Sequence, residues 1–158
     1  MKICFLNHDL KPDTGAGNFY LSLEWALKAE KPGWEFKTLT SADALSGGAA
    51  SWLFNFFKIR GVFRQSEVIH ALDGWPYGFI AAAFSVGLGK KIIITAIGTG
   101  AIQPLRRFLK KSLMIWAYKK ADKIVAISNN TKKEILKIIP DLEIEVINHG
   151  VDFEKFQI

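Results

Sequence analysis

KIIITAIGTGAIQPLRRFLKKSLMIWAYKKADKIVAI spans residues 91–127. Two short, continuous apolar runs, 91–95 and 123–127, flank a segment at 103–120 long enough for a helix of several turns. A strand that is apolar at successive positions is buried on both faces, as strands of parallel sheets are. Two such strands joined through a helix require a crossover connection and run parallel. Outward from this unit the alternation repeats. Upstream, EVIHA at 67–71 predicts a strand and 77–88 a small-residue helix that stops near Gly89. Downstream, a helix at 131–139 ends at Pro140 and EIEVI at 143–147 predicts a further strand. The first half opens on a strand at 2–6 (KICFL), followed by a glycine-containing loop. A helix carrying Phe19, Leu23 and Leu27 at helical spacing then stops at Pro32-Gly33, and an alternating strand occupies 34–39. Between 41 and 60 the pattern is mixed: Gly47-Gly48 breaks it, and Trp52, Leu53, Phe56 and Phe57 then form a helical apolar face. The expected fold is α/β, a doubly wound, mostly parallel, Rossmann-like sheet of about six strands.

Composition narrows the class further. The 158 residues predict one domain, 1–158, with a real core. With 49% hydrophobic and 13% aromatic residues the chain is not disordered. The best apolar run, 78–88, is shorter than the roughly 18 residues of a membrane span. Asn7, His8 and Asp9 interrupt the first apolar stretch, so it does not read as a signal peptide. A lone Cys4 inside a strand fits a reducing compartment, and the expected location is the cytoplasm.

Open parallel sheets bind ligands beyond the carboxyl ends of their strands. There the sequence places His8 and Asp9, then Gly15, Ala16, Gly17 and Asn18; His70, Asp73 and Trp75; Gly98, Thr99 and Gly100; Ser128; and Asn148, His149 and Gly150. Polar and turn residues are also what any strand end requires. The loop around Gly15–Gly17 precedes a helix whose free N–H groups suit a phosphate or carboxylate, or it is a plain tight turn. It does not match a dinucleotide fingerprint, because the third glycine position is Tyr20 and the second strand ends in Thr38-Leu39-Thr40 without an acid for a ribose. Ser128-Asn129-Asn130-Thr131 reads first as a helix cap. The sequence has no Cys/His cluster, Asp-x-Asp pair, G-x-S-x-G elbow or Walker loop, so no metal is expected.

Positive charge crowds the helix at 103–120: Arg106, Arg107, Lys110 and Lys111, then Lys119 and Lys120. On a helical wheel Leu105, Phe108, Leu109, Leu113 and Trp116 share one face, expected against the sheet. Arg107, Lys110, Lys111, Met114 and Tyr118 turn the other way, expected outward. That outer face suits an anionic membrane surface or acidic substrate, or it is a solvated helix face. No nucleic-acid-binding motif accompanies the charge, so nucleic acid is not an expected partner.

Four segments, in this order and spacing, resemble a known family. VIHALDGWPYG at 68–78 is similar to the DVIHAHDWPYG stretch of family 4 retaining glycosyltransferases of the GT-B fold, and ITAIGTG at 94–100 to their VTVHGTD. ADKIVAIS at 121–128, followed by TKKE, resembles ADRVIAVSxxTKxEL, and INHGVD at 147–152 with Phe156 resembles IPNGVDxxxF. The resemblance runs from the first strand to the last residue. It implies transfer of a sugar from a nucleotide-sugar donor to a sugar or lipid-linked acceptor, with retention and without a metal. The chain would be the acceptor-side half, with a donor-binding C-terminal domain beyond residue 158 and no turnover by this half alone. By the same resemblance the Gly15–Gly17 loop lies close to the donor phosphates, where backbone N–H groups and helix dipoles stabilise a leaving diphosphate. The resemblance assigns no catalytic residue: the position of the family's frequent histidine is Ile97, the second histidine of His-x-His is Leu72, and the acid after Gly-Thr is Gly100. The alternative is a binding module for a phosphorylated or sugar ligand, without catalysis.

Overall fold

A computed structural model describes residues 1–45 and 49–150, without the side chains of 49–52. The Gly47-Gly48 break, the Trp52 side chain, and Val151, Asp152, Phe153 and Phe156 therefore lie outside the described residues.

Six strands form one parallel sheet: β1 (Lys2–Leu6), β2 (Glu35–Leu39), β3 (Val68–Ala71), β4 (Lys91–Ala96), β5 (Lys123–Ala126) and β6 (Ile144–Val146). Their order is β2-β1-β3-β4-β5-β6. The register puts Leu6 beside both Leu39 and Ala71, Ala71 beside Ile94, Ile94 beside Ile124 and Ala126 beside Val146. Helices α1 (Gly15–Glu30), α2 (Ser41–Ala44), α3 (Ala49–Gln65), α4 (Phe79–Phe84), α5 (Gly98–Ile102), α6 (Phe108–Lys120) and α7 (Asn129–Leu136) make the connections. All six expected strands are present within a residue or two of their expected ends.

Alternation along the strands splits the core in two. On one face Cys4, Leu6, Ile69, Ile94, Ala96 and Ile124 meet residues of α3, α4, α6 and α7. On the other, Ile3 and Phe5 meet Tyr20 of α1, with Phe19, Leu23 and Leu27 packed around them. The chain winds left from β1 to β2 and right from β3 onward, so strand order reverses between β1 and β3. Among the described residues no helix is long and apolar enough to cross a membrane.

Two expectations for 103–120 need correction. The segment is not one helix. Residues Gln103–Arg106 form a tight 3₁₀ turn carrying Pro104, and Arg107 is extended (φ −102°, ψ 124°), so α6 starts afresh at Phe108. The apolar residues of α6 also lie the other way round from the wheel reading, while Arg107 and Lys111 are exposed as expected. Met114, Ala117 and Tyr118 are fully buried, whereas Phe108 is 92% and Leu109 82% exposed, and Leu113 and Trp116 are also exposed. The reason lies on the partner surface. Gly74 leaves a slot where a Cβ would come 2.6 Å from Tyr118 Oη and 2.9 Å from Met114 Cε. Tyr118 fills that slot and donates to Ala101 O at 3.0 Å, which satisfies its hydroxyl inside the core. A helix wheel counts apolar residues on each face but does not contain the small residues opposite that choose between them. Leu105, on the tight turn, is buried as expected.

Candidate functional site

The switch between β1 and β3 brings the carboxyl-end loops together. After β1, buried Asn7 ties the loop to the helix that follows: its Nδ2 donates to Asp9 O at 2.7 Å and Ala16 O at 2.9 Å. Thr14 caps α1, its hydroxyl accepting from Gly17 N at 3.0 Å and donating to Asp9 Oδ1 at 2.6 Å. That hydroxyl and the Lys11 N–H hold the Asp9 carboxyl below its usual range. The N-terminus of α1 thus already carries one carboxylate, as its dipole favours. Gly17 lies hard against this loop, Gly15 faces open space, and Asn18 N donates to Thr14 O at 2.9 Å within the first turn.

His8 reaches across to the loop after β3, its Nδ1 3.2 Å from Tyr77 Oη. In that loop Asp73 Oδ1 accepts from Gly74 N at 2.6 Å. The other face of the Asp73 carboxyl fills the space a side chain at residue 100 would need, since a Cβ on Gly100 would lie 1.9 Å from Oδ2. The glycine found where the resembling family has an acid is therefore required by the acid at 73. Burial pushes the Asp73 carboxyl up to about 7, against the pull of the Gly74 N–H.

Around Gly100 a concavity of about 210 Å³ opens, lined by Trp75, Thr99, Gln103, Pro104, Arg107 and Lys110. Lys110 Nζ stands 4.6 Å from the centre of the Trp75 ring, and Trp75 stacks on Phe79 at 5.5 Å. Gly98 opens α5 with φ +54°, a conformation that glycine adopts without strain.

The remaining candidates sit apart from this concavity. His70 is on the α1 side of the sheet, 2.7 Å from Thr95 Oγ1 and with its ring tilted against Phe5, and burial lowers it to about 4. Ser128 caps α7, accepting from Thr131 N at 3.1 Å. The ring of exposed His149 lies tilted against Phe19 at 4.6 Å, which carries the segment of Asn148 and Gly150 toward α1. Arg106 is held by Glu134 at 2.6 Å, so of the basic group only Arg107 and Lys110 line the concavity, with Lys111 exposed beside them. Asn7, Tyr77, Gln103 and Pro104 join the site without having been singled out from the sequence. Asn7 follows the end of β1 directly, and that position was the available signal. Ile97 and Leu72 both pack into the α1-side core. Among the described residues no three His, Cys, Asp or Glu side chains cluster as a metal site would.

Asp73 and His70 make opposite contributions to stability. His70, depressed from 6.5 to about 4, contributes stability that is complete above pH 6.5 and is lost as pH falls through 4. Asp73, raised from 3.8 to about 7, contributes stability that is complete below pH 3.8 and is lost as pH rises through 7. Asp73→Asn removes the second contribution alone. Relative to the parent, the variant's urea midpoint is expected to climb between pH 4 and pH 6.5. Parallel profiles would show that Asp73 ionises normally.

The family model described as Glycosyltransferase Family 4 matches residues 20–155. No curated protein matches. Among solved structures, Anabaena Alr3699/HepE in complex with UDP aligns with a TM-score of 0.69 at 16% identity over 98% of this chain. Its complexes with UDP and glucose and with UDP-glucose align with TM-scores of 0.69 and 0.67, also at 16% identity and 98% of this chain. The chain covers 45–46% of those proteins, a little under half their length. At this identity the likeness is one of fold.

Proposed function

This chain belongs to Glycosyltransferase Family 4, and on that premise we propose that it is the acceptor-binding half of an enzyme that moves a sugar from a nucleotide-sugar donor to a sugar or lipid-linked acceptor. Transfer proceeds with retention at the anomeric carbon and without a metal ion, in the cytoplasm, for cell-envelope glycan or glycolipid synthesis. A donor-binding half completes the cleft. The observation that carries the reading is the concavity beyond the carboxyl ends of β3 and β4, where Trp75, Thr99 and Lys110 offer an aromatic ring, a hydroxyl and a cation to one ligand. The HepE complexes with UDP and UDP-glucose support a nucleotide-sugar as the donor class.

The roles follow from position. The Trp75 ring carries the Lys110 ammonium over its face, and the two together offer an apolar surface and a cation to a sugar ligand. The Asp73 carboxyl, beneath Gly100, is placed to orient an acceptor hydroxyl. The first-turn amides of α1 face the donor diphosphate, with the helix dipole behind them. Thr14 already occupies the Gly17 N–H, which leaves this work to Gly15 and Ala16.

The test uses the longest natural chain that carries this sequence, incubated with a panel of UDP-sugars and with lipid-linked or free sugar acceptors. Acceptor-dependent UDP release, with a product keeping the donor's anomeric configuration by NMR coupling constants, is expected. Absence of UDP release across the panel would contradict the transferase reading. The packing of Ile97 and Leu72 into the core, at positions where the resembling family has histidines, favours one second reading, a binding module. Saturable binding of a sugar or phosphorylated ligand without release of UDP would identify it.

A further inference from the structure

We propose that the acceptor held in the concavity carries a phosphate group, bound between Arg107 and Lys110. The inference rests on the reading of this concavity as the acceptor's, and adds to it the acceptor's chemical class.

Local structure brings the two cations to one place. The chain leaves the tight turn at Gln103–Arg106 through an extended Arg107 (φ −102°, ψ 124°) before α6 begins. Arg107 therefore stands outside the helical phase of α6, at the rim of the concavity. Lys110, in the first turn of α6, holds its ammonium 4.6 Å from the centre of the half-buried Trp75 ring, and Phe79 stacks on that ring. The cation–π contact fixes a head group that would otherwise wander in solvent. At the end of α5, Gln103 N donates to Thr99 O, which sets the two side chains on the same side of the turn. Among the described residues the Thr99 hydroxyl and the Gln103 side-chain amide make no hydrogen bond.

Charge selects the ligand. No aspartate or glutamate occurs in the sequence between Asp73 and Asp122. Among the described residues Arg107 and Lys110 have no ion-pair partner, whereas Arg106 beside them is held by Glu134 at 2.6 Å. Asp73, beneath Gly100, gives Oδ1 to the Gly74 N–H, and burial pushes its carboxyl up to about 7, so below neutral pH little negative charge opposes an anion. A carboxylate on the ligand would answer one of the two cations. A phosphomonoester brings close to two negative charges at neutral pH and three acceptor oxygens. The Arg107 fork suits two of those oxygens and the Lys110 ammonium the third. Thr99 and Gln103 then remain for sugar hydroxyls. A soluble sugar phosphate and the phosphate of a lipid carrier present this same chemistry.

The experiment is titration calorimetry of the longest natural chain that carries this sequence, with glucose, glucose 1-phosphate and farnesyl diphosphate. Glucose 1-phosphate is expected to bind at least about tenfold more tightly than glucose, and less tightly as salt rises. Arg107→Gln and Lys110→Gln are each expected to weaken its binding about tenfold, the scale of one hydrogen bond to a charged group. Lys111→Gln, exposed and outside the concavity, should bind like the parent. Tighter binding of farnesyl diphosphate would assign the phosphate to a lipid carrier, and the reverse order to a soluble sugar phosphate. Equal affinity for glucose and glucose 1-phosphate would overturn the proposal. So would no binding of either phosphorylated compound, or parental affinity in both Arg107→Gln and Lys110→Gln. A chain that gives any of these results yet releases UDP to a neutral acceptor keeps the transferase reading and loses this one. A chain that releases no UDP but binds phosphate through Arg107 and Lys110 keeps the phosphate site and loses the transferase.

Discussion

Tyr118→Ala is expected to destabilise the chain by about 3–5 kcal/mol, whereas Phe108→Ala stays within about 0.5 kcal/mol. A helical wheel of α6 leads to the opposite ranking. Tyr118 is fully buried and donates to Ala101 O, and its ring fills the slot left by Gly74. Truncation leaves a cavity against Met114 and leaves the Ala101 carbonyl without its partner, both inside a core that relaxes only partly. Phe108 is 92% exposed and loses almost no contact. Urea denaturation of the two variants beside the parent measures both. Equal losses, or a larger loss for Phe108→Ala, would put the wrong face of α6 in the core.

Gly17→Ala is expected to cost about 3 kcal/mol or more. A Cβ at this position would lie 2.0 Å from Lys11 O and 2.6 Å from Lys11 N, both backbone atoms, and 2.7 Å from Asp9 Oδ1. Backbone does not swing aside as a flexible side chain does, so α1 must shift from Thr14 and Asp9 or the loop must open. For a domain of this size the melting temperature should fall by roughly 6–12 °C. Gly15→Ala, with nothing within 4 Å of its Cβ position, is the control and should melt near the parent temperature. If Gly17→Ala also melts like the parent, the glycine is not there for packing, and only close approach by a ligand would require it.

These two predictions mark where sequence reading succeeds and where it stops. The strands were legible because each is a short apolar run between polar residues, a pattern that needs no knowledge of neighbours: Lys91–Ala96 and Lys123–Ala126 are examples. Parallel topology followed from the helices between them. The placement of the site at the carboxyl ends followed in turn, and Trp75, Thr99, Gly100, Arg107 and Lys110 do meet around one concavity. The break at Arg107 was less visible, since Pro104 is tolerated in a first helical turn and does not by itself stop a helix. The facing of α6 was not legible at all, because it depends on Gly74 and Ala101, distant in sequence and opposite in space. The same holds for Asp73 and Gly100. Each looks like an ordinary loop residue alone, and only their packing explains why one must lack a side chain.

The most direct test of the site is chemical-shift mapping of the ¹⁵N-labelled chain titrated with UDP-glucose and, separately, with glucose 1-phosphate. Shifts are expected at Gly15 and Ala16, at the Trp75 indole, and at Thr99, Gly100 and Lys110, all beyond the carboxyl ends of β1, β3 and β4. Shifts confined to α3, α7 or the amino ends of the strands would contradict a ligand site beyond the carboxyl ends of β1, β3 and β4.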